Sequence, residues 1–445
     1  MKRIILLLSV VMCSSFSGWA QRTPWTFQQC LDTALKRNIS VNQSRLSNEL
    51  NKISLEQSRA NRIPSISAGV SEALNIGKNV DATTNQFVIG TFNSGSYSVN
   101  ASYNLFNGLQ NNNTIKQYKL NIQAGNYDIE NAKNAVILSV TTGYLQMLQQ
   151  YEILKTADNQ MLADSAQVER TQKMLNVGKM AEGDLLQIQS QLATDYLKLV
   201  NAQNQLDIAR VTLMQLMQIP VIDSFDVEVP KFAEPSLLLL LSKDEVYQKS
   251  LEAMPQIHSA SFRTTSSQMA IKIATGARWP RLTLSAGLSS NYASSRKQGI
   301  LQEDYPFYTQ VWDNVGQSVN LGLSIPIFSN RSLQSGIERA KINSKTAELN
   351  ELNARQTLRM NIEQTYTGLK AAARNFAASK IQLSSTERTF KNAEKKFNVG
   401  VMSATDYLIQ QNTWVSSLSN SIQAKYNFIF QTKILDFYQG KAITF

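Results

Sequence analysis

His258 is the only histidine in 445 residues, which excludes a histidine-based catalytic triad and a multi-histidine metal site alike. It follows Pro255-Gln256-Ile257 at an expected helix start and reads as an ordinary packing or surface side chain. No Gly-x-x-x-x-Gly-Lys loop occurs, so the usual backbone cradle for nucleotide phosphates is missing. Asp and Glu number 33. They are read as lying on coil surfaces, without the clustered spacing that acid–base chemistry needs. One acidic pattern does recur. Asp184 lies in "KMLNVGKMAEGDLL" (173–186) and Asp406 in "KKFNVGVMSATDYL" (395–408), at the same place in two copies of one turn. A carboxylate repeated in this way performs no covalent step by itself. The chain is therefore read as a non-enzyme that calls for no cofactor and no metal.

The start of the chain has a recognisable build. Lys2 and Arg3 precede a short apolar run, and Gly18-Trp19-Ala20 supplies small residues for cleavage, so residues 1–20 read as a secretory signal peptide. Cys13 invites a lipoprotein reading, which the bulky Met12 before it disfavours. After cleavage Cys30 is the only cysteine, so no intrachain disulfide is expected. The longest purely apolar run beyond the signal, 237–241, is far short of the ~20 residues a spanning helix needs. Net charge falls from +11 to +9 once Lys2 and Arg3 are subtracted. The remaining Lys and Arg are spread among Asn, Gln and Ser rather than clustered, which speaks against nucleic-acid binding.

The repeated turn belongs to a larger duplication, the kind of self-similarity that decides an architecture. "RIPSISAGVS" (62–71) answers "RWPRLTLSAGLS" (278–289), and "SYSVNASYNLFNG" (96–108) answers "GQSVNLGLSIPIFSN" (316–330). Each half reads helix, strand, strand, very long helix, tight turn, long helix. The expected division is a first repeat over 21–218, an equatorial connection over 219–242 containing Pro220 and Pro235, a second repeat over 243–440 and a tail at 441–445.

Within each half the periodicities are distinct. Val140, Met147, Leu154, Met161, Val168 and Leu175 recur every seven residues, and Ile362, Leu369, Phe376, Leu383, Phe390 and Phe397 repeat the step 222 residues on. A strict heptad predicts helices wound in a left-handed supercoil. Uninterrupted by proline, the first such helix could run about 100 Å. Gly178 and Gly400 supply the left-handed residue that closes a helix. The strands are expected to be short and to alternate. Val319, Leu321, Leu323 and Ile325 oppose Ser318, Asn320, Gly322 and Ser324, while Tyr97 to Leu105 alternate with Ser98 to Asn104. In the first strand Ile66, Ala68 and Val70 fit, but Glu72 falls on the apolar face. Polar loops are expected at about 77–95 and 291–315.

Four alternating strands leave two open edges, which a membrane does not tolerate, and closure takes about eight or more strands. Copies of the chain must then share a barrel, and these physical grounds do not choose among dimer, trimer and tetramer.

The order and duplication of these motifs resemble the TolC-like outer-membrane efflux proteins over about residues 25–440. The motifs are "LDTALKRNISV" (31–41), the two Arg-x-Pro lead-ins (62–64, 278–280) and the paired Val-Gly turns. The resemblance implies a mainly α chain with a membrane β-barrel. Long coiled-coil hairpins would form a periplasmic α-barrel, and four strands per chain would complete a twelve-stranded barrel in a homotrimer. It implies contact with outer-membrane lipid, a periplasmic adaptor (membrane fusion) protein and an inner-membrane pump, often a proton-driven one. The alternatives are an exit duct for type I protein secretion, or a periplasmic coiled-coil adaptor or rod.

In this family aspartates ring a throat closed like an iris at the periplasmic end. Asp406 matches the first of them, whereas the second position is Ile409 here. The family's polar latch positions are Phe397 and Met402, which implies closure by apolar packing. Asp184 matches on the outer hairpin, beside Gly183 where a Thr is expected. The plain alternative is that Asp184 and Asp406 cap or solvate a helix start. The turns themselves, Asn176, Val177, Gly178 and Met180 with Asn398, Val399, Gly400 and Met402, are the expected adaptor contacts.

Overall fold

The computed structural model describes residues 24–80, 87–222, 225–230, 242–298 and 303–445. The expected signal peptide with Cys13, the segment 81–86 and much of the inter-repeat connection, Pro235 and 237–241 included, lie outside the described residues.

Helices α1 (Phe27–Arg37) and α2 (Ile39–Ala60) precede strands β1 (Ser65–Val80) and β2 (Phe87–Asn107), followed by α3 (Gln110–Asn176) and α4 (Glu182–Leu216). Then come α5 (Lys243–Ala253), α6 (Pro255–Gly276) and β3 (Arg281–Ala293). The short β4 (Lys297–Gln298) and β5 (Glu303–Asp304), helix α7 (Phe307–Asp313) and β6 (Gly316–Ser324) follow, and α8 (Ser332–Asn398) and α9 (Ala404–Tyr438) end the chain. The duplication is kept to the residue. Helices α3 and α8 have 67 residues each and α4 and α9 have 35 each, with every boundary offset by 222. The turns share the offset: Gly108 and Leu109 take positive φ before α3, as Asn330 and Arg331 do before α8.

The two Arg-x-Pro motifs have one physical role. Proline forces the residue before it into extended backbone, which ends α2 and α6 and starts β1 and β3. The preceding arginine then ties the strand's start to the next long helix. Arg62 donates to Asn112 at 2.5 Å and Arg278 donates to Gln334, the residue 222 positions later.

Two compact units form, Met1–Val41 with Lys133–Ala253 and Arg359–Phe445, and Asn42–Ala132 with Met254–Leu358. The second holds an antiparallel sheet in the order β1-β2-β3-β6. Its register stacks like with like. Val70 opposes Tyr97, Val99 opposes Leu288, Leu284 opposes Leu321 and Ala286 opposes Val319. On the other face Ser67 opposes Asn100, Ser102 opposes Ser285 and Gly287 opposes Ser318. One face is thus apolar and open, with Ile66 and Val319 about three-quarters exposed (74% and 76%). The other is mostly Ser, Asn, Thr and Gly, with Arg281 at its start and Ala73 and Phe92 toward its far end.

Three expectations need correction here. The first two strands are long, 16 and 21 residues, because 75–80 pairs with 87–92 in the ladder although Gly77, Lys78 and Asn79 look like a loop. A bulge between Asn104 and Phe106 sets Leu105 aside and puts Phe106 opposite Leu282. The segment 291–315 is not loop throughout, since α7 packs on β3. The Phe307 ring meets Tyr97 and Tyr292 edge-on, and buried Gln310 bonds both ways with the Ala293 backbone. Glu72 does lie on the apolar face, where it accepts a hydrogen bond from the Tyr97 hydroxyl.

In the first unit the heptad residues Val140, Met147, Ile362 and Leu369 are essentially buried, whereas Leu154, Met161, Val168 and Leu175 are half-buried. Cys30 is buried as a free thiol, and burial pushes its pKa up to about 12, so it is chemically quiet. Among the described residues no helix is long and apolar enough to cross a membrane.

Candidate functional site at the hairpin turns

Both turns lie in the first unit and close in the same way. Gly178 N–H donates to the Leu175 carbonyl and Lys179 N–H to that of Met174. Gly400 and Val401 repeat the pattern on Phe397 and Lys396, all at 2.9–3.0 Å. This is the paired bonding that ends a helix on a left-handed residue. Gly178 and Gly400 have φ of +70° and +76°, and a Cβ on either would meet nothing within 4 Å. Glycine is needed there for conformation, and the space beside it is open.

The helices leaving the turns start differently. Ser403 caps α9: its hydroxyl accepts from Asp406 N–H at 3.1 Å and donates to the Asp406 carboxylate at 2.8 Å. Asp406 is therefore exposed but held in the first turn of a helix. Asp184 stands in the first turn of α4, half-buried, and Ala181 provides no side-chain cap. Ile409, one turn beyond Asp406, is 53% exposed.

Phe397 is fully buried, its ring stacked on Tyr407 at 4.7 Å, in a cluster with Ile188 and Ala404. Met402 and Met180 pack against that cluster from the two turns. The structure therefore gathers Phe397, Met402 and Met180 and leaves Asn176, Val177, Gly178, Val399, Gly400, Asp406 and Ile409 exposed. Asn398 is half-buried, with its Oδ1 unpaired.

Above the turns lies a set of residues that the sequence reading placed on coil surfaces. Asp164 and Asp195 are each 2% exposed, which corrects the view that the carboxylates are scattered outside. Gln160 at 3.0 Å and Gln411 both donate to Asp164 Oδ1, while Gln191 at 3.0 Å and Lys198 at 2.7 Å donate to Asp195. Asp164 Oδ2 has no donor of its own. Burial first, and then hydrogen bonding to Asp195, raises the Asp164 pKa far above the ordinary carboxylate range. A proton on Asp164, shared with the Asp195 carboxylate, completes the contact. The available signal was spacing: Gln160, Asp164, Gln167 and Thr171 are all buried and recur at intervals of four, three and four, the helical stripe of a core but written in polar residues.

A family model described as outer membrane efflux protein matches residues 30–217 and 246–435. The outer membrane protein TolC of Escherichia coli K12 is 24% identical over 322 residues, covering 71% of this chain and 63% of that protein. The chain thus matches less than two thirds of that relative's length. The outer membrane efflux protein BepC of Brucella suis biovar 1 is 21% identical over 404 residues, covering 91% of this chain and 83% of its own. Among solved structures, the CmeC outer membrane channel of Campylobacter jejuni superposes with a TM-score of 0.79 at 18% identity, over 93% of this chain and 85% of that one.

Proposed function

Since this chain belongs to the outer membrane efflux protein family, we propose that it assembles as a homotrimer forming the exit duct of a tripartite efflux system. The strands sit in the outer membrane as a twelve-stranded barrel, and the helical hairpins line a periplasmic tunnel that conducts small molecules handed over by an inner-membrane pump and a periplasmic adaptor. The observation that carries this reading is the sheet. One face is open and largely apolar, the other is mostly polar with Arg281 at its start, and β1 and β6 are the edge strands of the described sheet. An apolar-out, polar-in ladder with closed edges is what a lipid-embedded water path requires. A periplasmic rod or adaptor has no use for an apolar face of that size.

At the turns, three Asp406 carboxylates form a single ring around the throat. Ile409 replaces a second ring, and Asp184 stands behind on the outer hairpin. Closure rests on the packing of Phe397 and Met402, supported by the burial of Phe397 against Tyr407. The exposed turns dock the adaptor: Asn176, Val177, Gly178 and Met180 from one hairpin, Asn398, Val399, Gly400 and Met402 from the other. Single-channel recording in planar bilayers tests the ring. The parent should prefer cations and be blocked by divalent ions from the periplasmic side, and Asp406→Ala should lose both properties. Selectivity and block unchanged by the substitution would remove the ring.

A further inference from the structure

Nothing in the conduction of small molecules requires the polar seam between the coils to be hollow, yet it is. A cavity of about 330 Å³ lies among α3, α8 and α9 of the first unit, within the size range of small-ligand sites. On its wall Gln411, 2% exposed, spends its amide N–H on Asp164 and leaves its Oε1 without a partner. A buried acceptor left bare is unfavourable, and a donor that reaches it from the cavity would recover that cost. Glu394, half-buried on the same wall, forms no ion pair among the described residues, and no Lys, Arg or His lines the cavity. Arg170 acts at a distance on the Tyr407 hydroxyl, but it is not on the wall.

The rest of the wall is aromatic. Phe390 and Trp414 stack at 4.8 Å with planes 5° apart, and Tyr407 lies 5.8 Å from Phe390. Ring faces carry negative quadrupole potential and attract cations. A carboxylate, an unfilled carbonyl and ring faces together discriminate by charge: they repel an anion and give a neutral molecule less than they give a cation. We propose that this cavity binds a small organic ammonium ion, with N–H donated to Gln411 Oε1 and Glu394 and the hydrocarbon part against Phe390, Tyr407 and Trp414. The site is a property of one chain's coils and does not depend on the conduit reading.

The test titrates the purified full chain in detergent with 2-phenylethylammonium chloride and follows Trp414 fluorescence, with phenylacetate as an anion of similar size. The ammonium probe should give a saturable change that phenylacetate does not, and Trp414→Phe, which keeps a ring in place, should abolish the signal. Glu394→Gln should raise the half-saturation concentration about tenfold, the equilibrium equivalent of one hydrogen bond to a charged group. Lack of saturation, an equal response to phenylacetate, a signal that survives Trp414→Phe, or a half-saturation unmoved by Glu394→Gln would each overturn the site. The comparison of the two probes needs no variant, so the answer does not hang on a substitution folding.

Discussion

Asp164 and Asp195 are sealed in the coil interior, and Lys198, itself 46% exposed, donates to Asp195 and to Asn412. Burial, followed by the bond to Asp195, pushes the Asp164 pKa from 3.8 up to about 7. Burial also pushes Asp195 upward, but the bonds from Asp164, Gln191 and Lys198 outweigh it and leave that group lowered. For a raised carboxyl the folded chain keeps a proton that the unfolded chain has released, so its stabilising contribution is full below about pH 4 and is lost as pH rises toward about 7. The lowered Asp195 works in the opposite sense, its contribution being lost as pH falls through its folded value. Above about pH 5 the Asp164 titration is therefore the one that moves stability. The thermal midpoint of the parent should fall between about pH 5 and about pH 8. Asp164→Asn, uncharged at every pH and of the same shape, should be flat over that window and more stable than the parent at its upper end. Parallel slopes measured by circular dichroism in the two proteins would remove Asp164 as the titrating group.

The long helices α3 and α8 were legible because their heptads run unbroken from Val140 to Leu175 and from Ile362 to Phe397, and the turns because Asn-Val-Gly closes a helix. What the chain hid was which stripe lies deepest. Beyond Leu154 the apolar heptad residues Met161, Val168 and Leu175 are only half-buried, while Gln160, Asp164, Gln167 and Thr171 beside them are sealed. Polar residues at helical spacing look like a solvated face, and only the packing of a second hairpin against them shows otherwise. The turn carries a prediction at the same scale. Asparagine tolerates the left-handed conformation better than other side chains, and at Gly400 its Cβ would meet open space. Gly400→Asn should therefore unfold within roughly 2–4 °C of the parent, the shift expected for about 1 kcal/mol in a chain of this kind. Under the docking proposed above, its amide would stand on the backbone that the adaptor meets. Resistance to exported drugs should fall several-fold in cells carrying Gly400→Asn at normal abundance, and full resistance would take the docking site away from the turn.

The four-stranded sheet ends in two strand edges, β1 and β6. The alternation of Val319 to Ile325 and of Tyr97 to Tyr103 was readable, and so was the conclusion that four strands cannot close. The length of β1 and β2 was not, because Gly77, Lys78 and Asn79 carry turn chemistry and are held extended by the ladder across from them. Nor did the alternation reveal the bulge that trades Leu105 for Phe106. These misses do not touch the edges: β1 pairs only with β2 and β6 only with β3 in the four-stranded sheet. A ring of copies closes both edges by setting β6 of one protomer beside β1 of the next, a heterologous contact that ends only when the rotation closes. Cysteines can read that ending. Gly322→Cys in β6, combined in turn with Ser65→Cys, Ser67→Cys or Gly69→Cys in β1, places pairs on the polar face, and one register should bring Cα atoms within the roughly 4.4–6.8 Å that a disulfide spans. Oxidation in membranes should then give a ladder that requires both cysteines and stops at three. Closure of a sheet on itself would give only a cross-linked single chain, and an open filament would give bands beyond three; either pattern would refute the shared barrel, because the geometry of the missing partner strand is the one thing a lone sheet cannot supply.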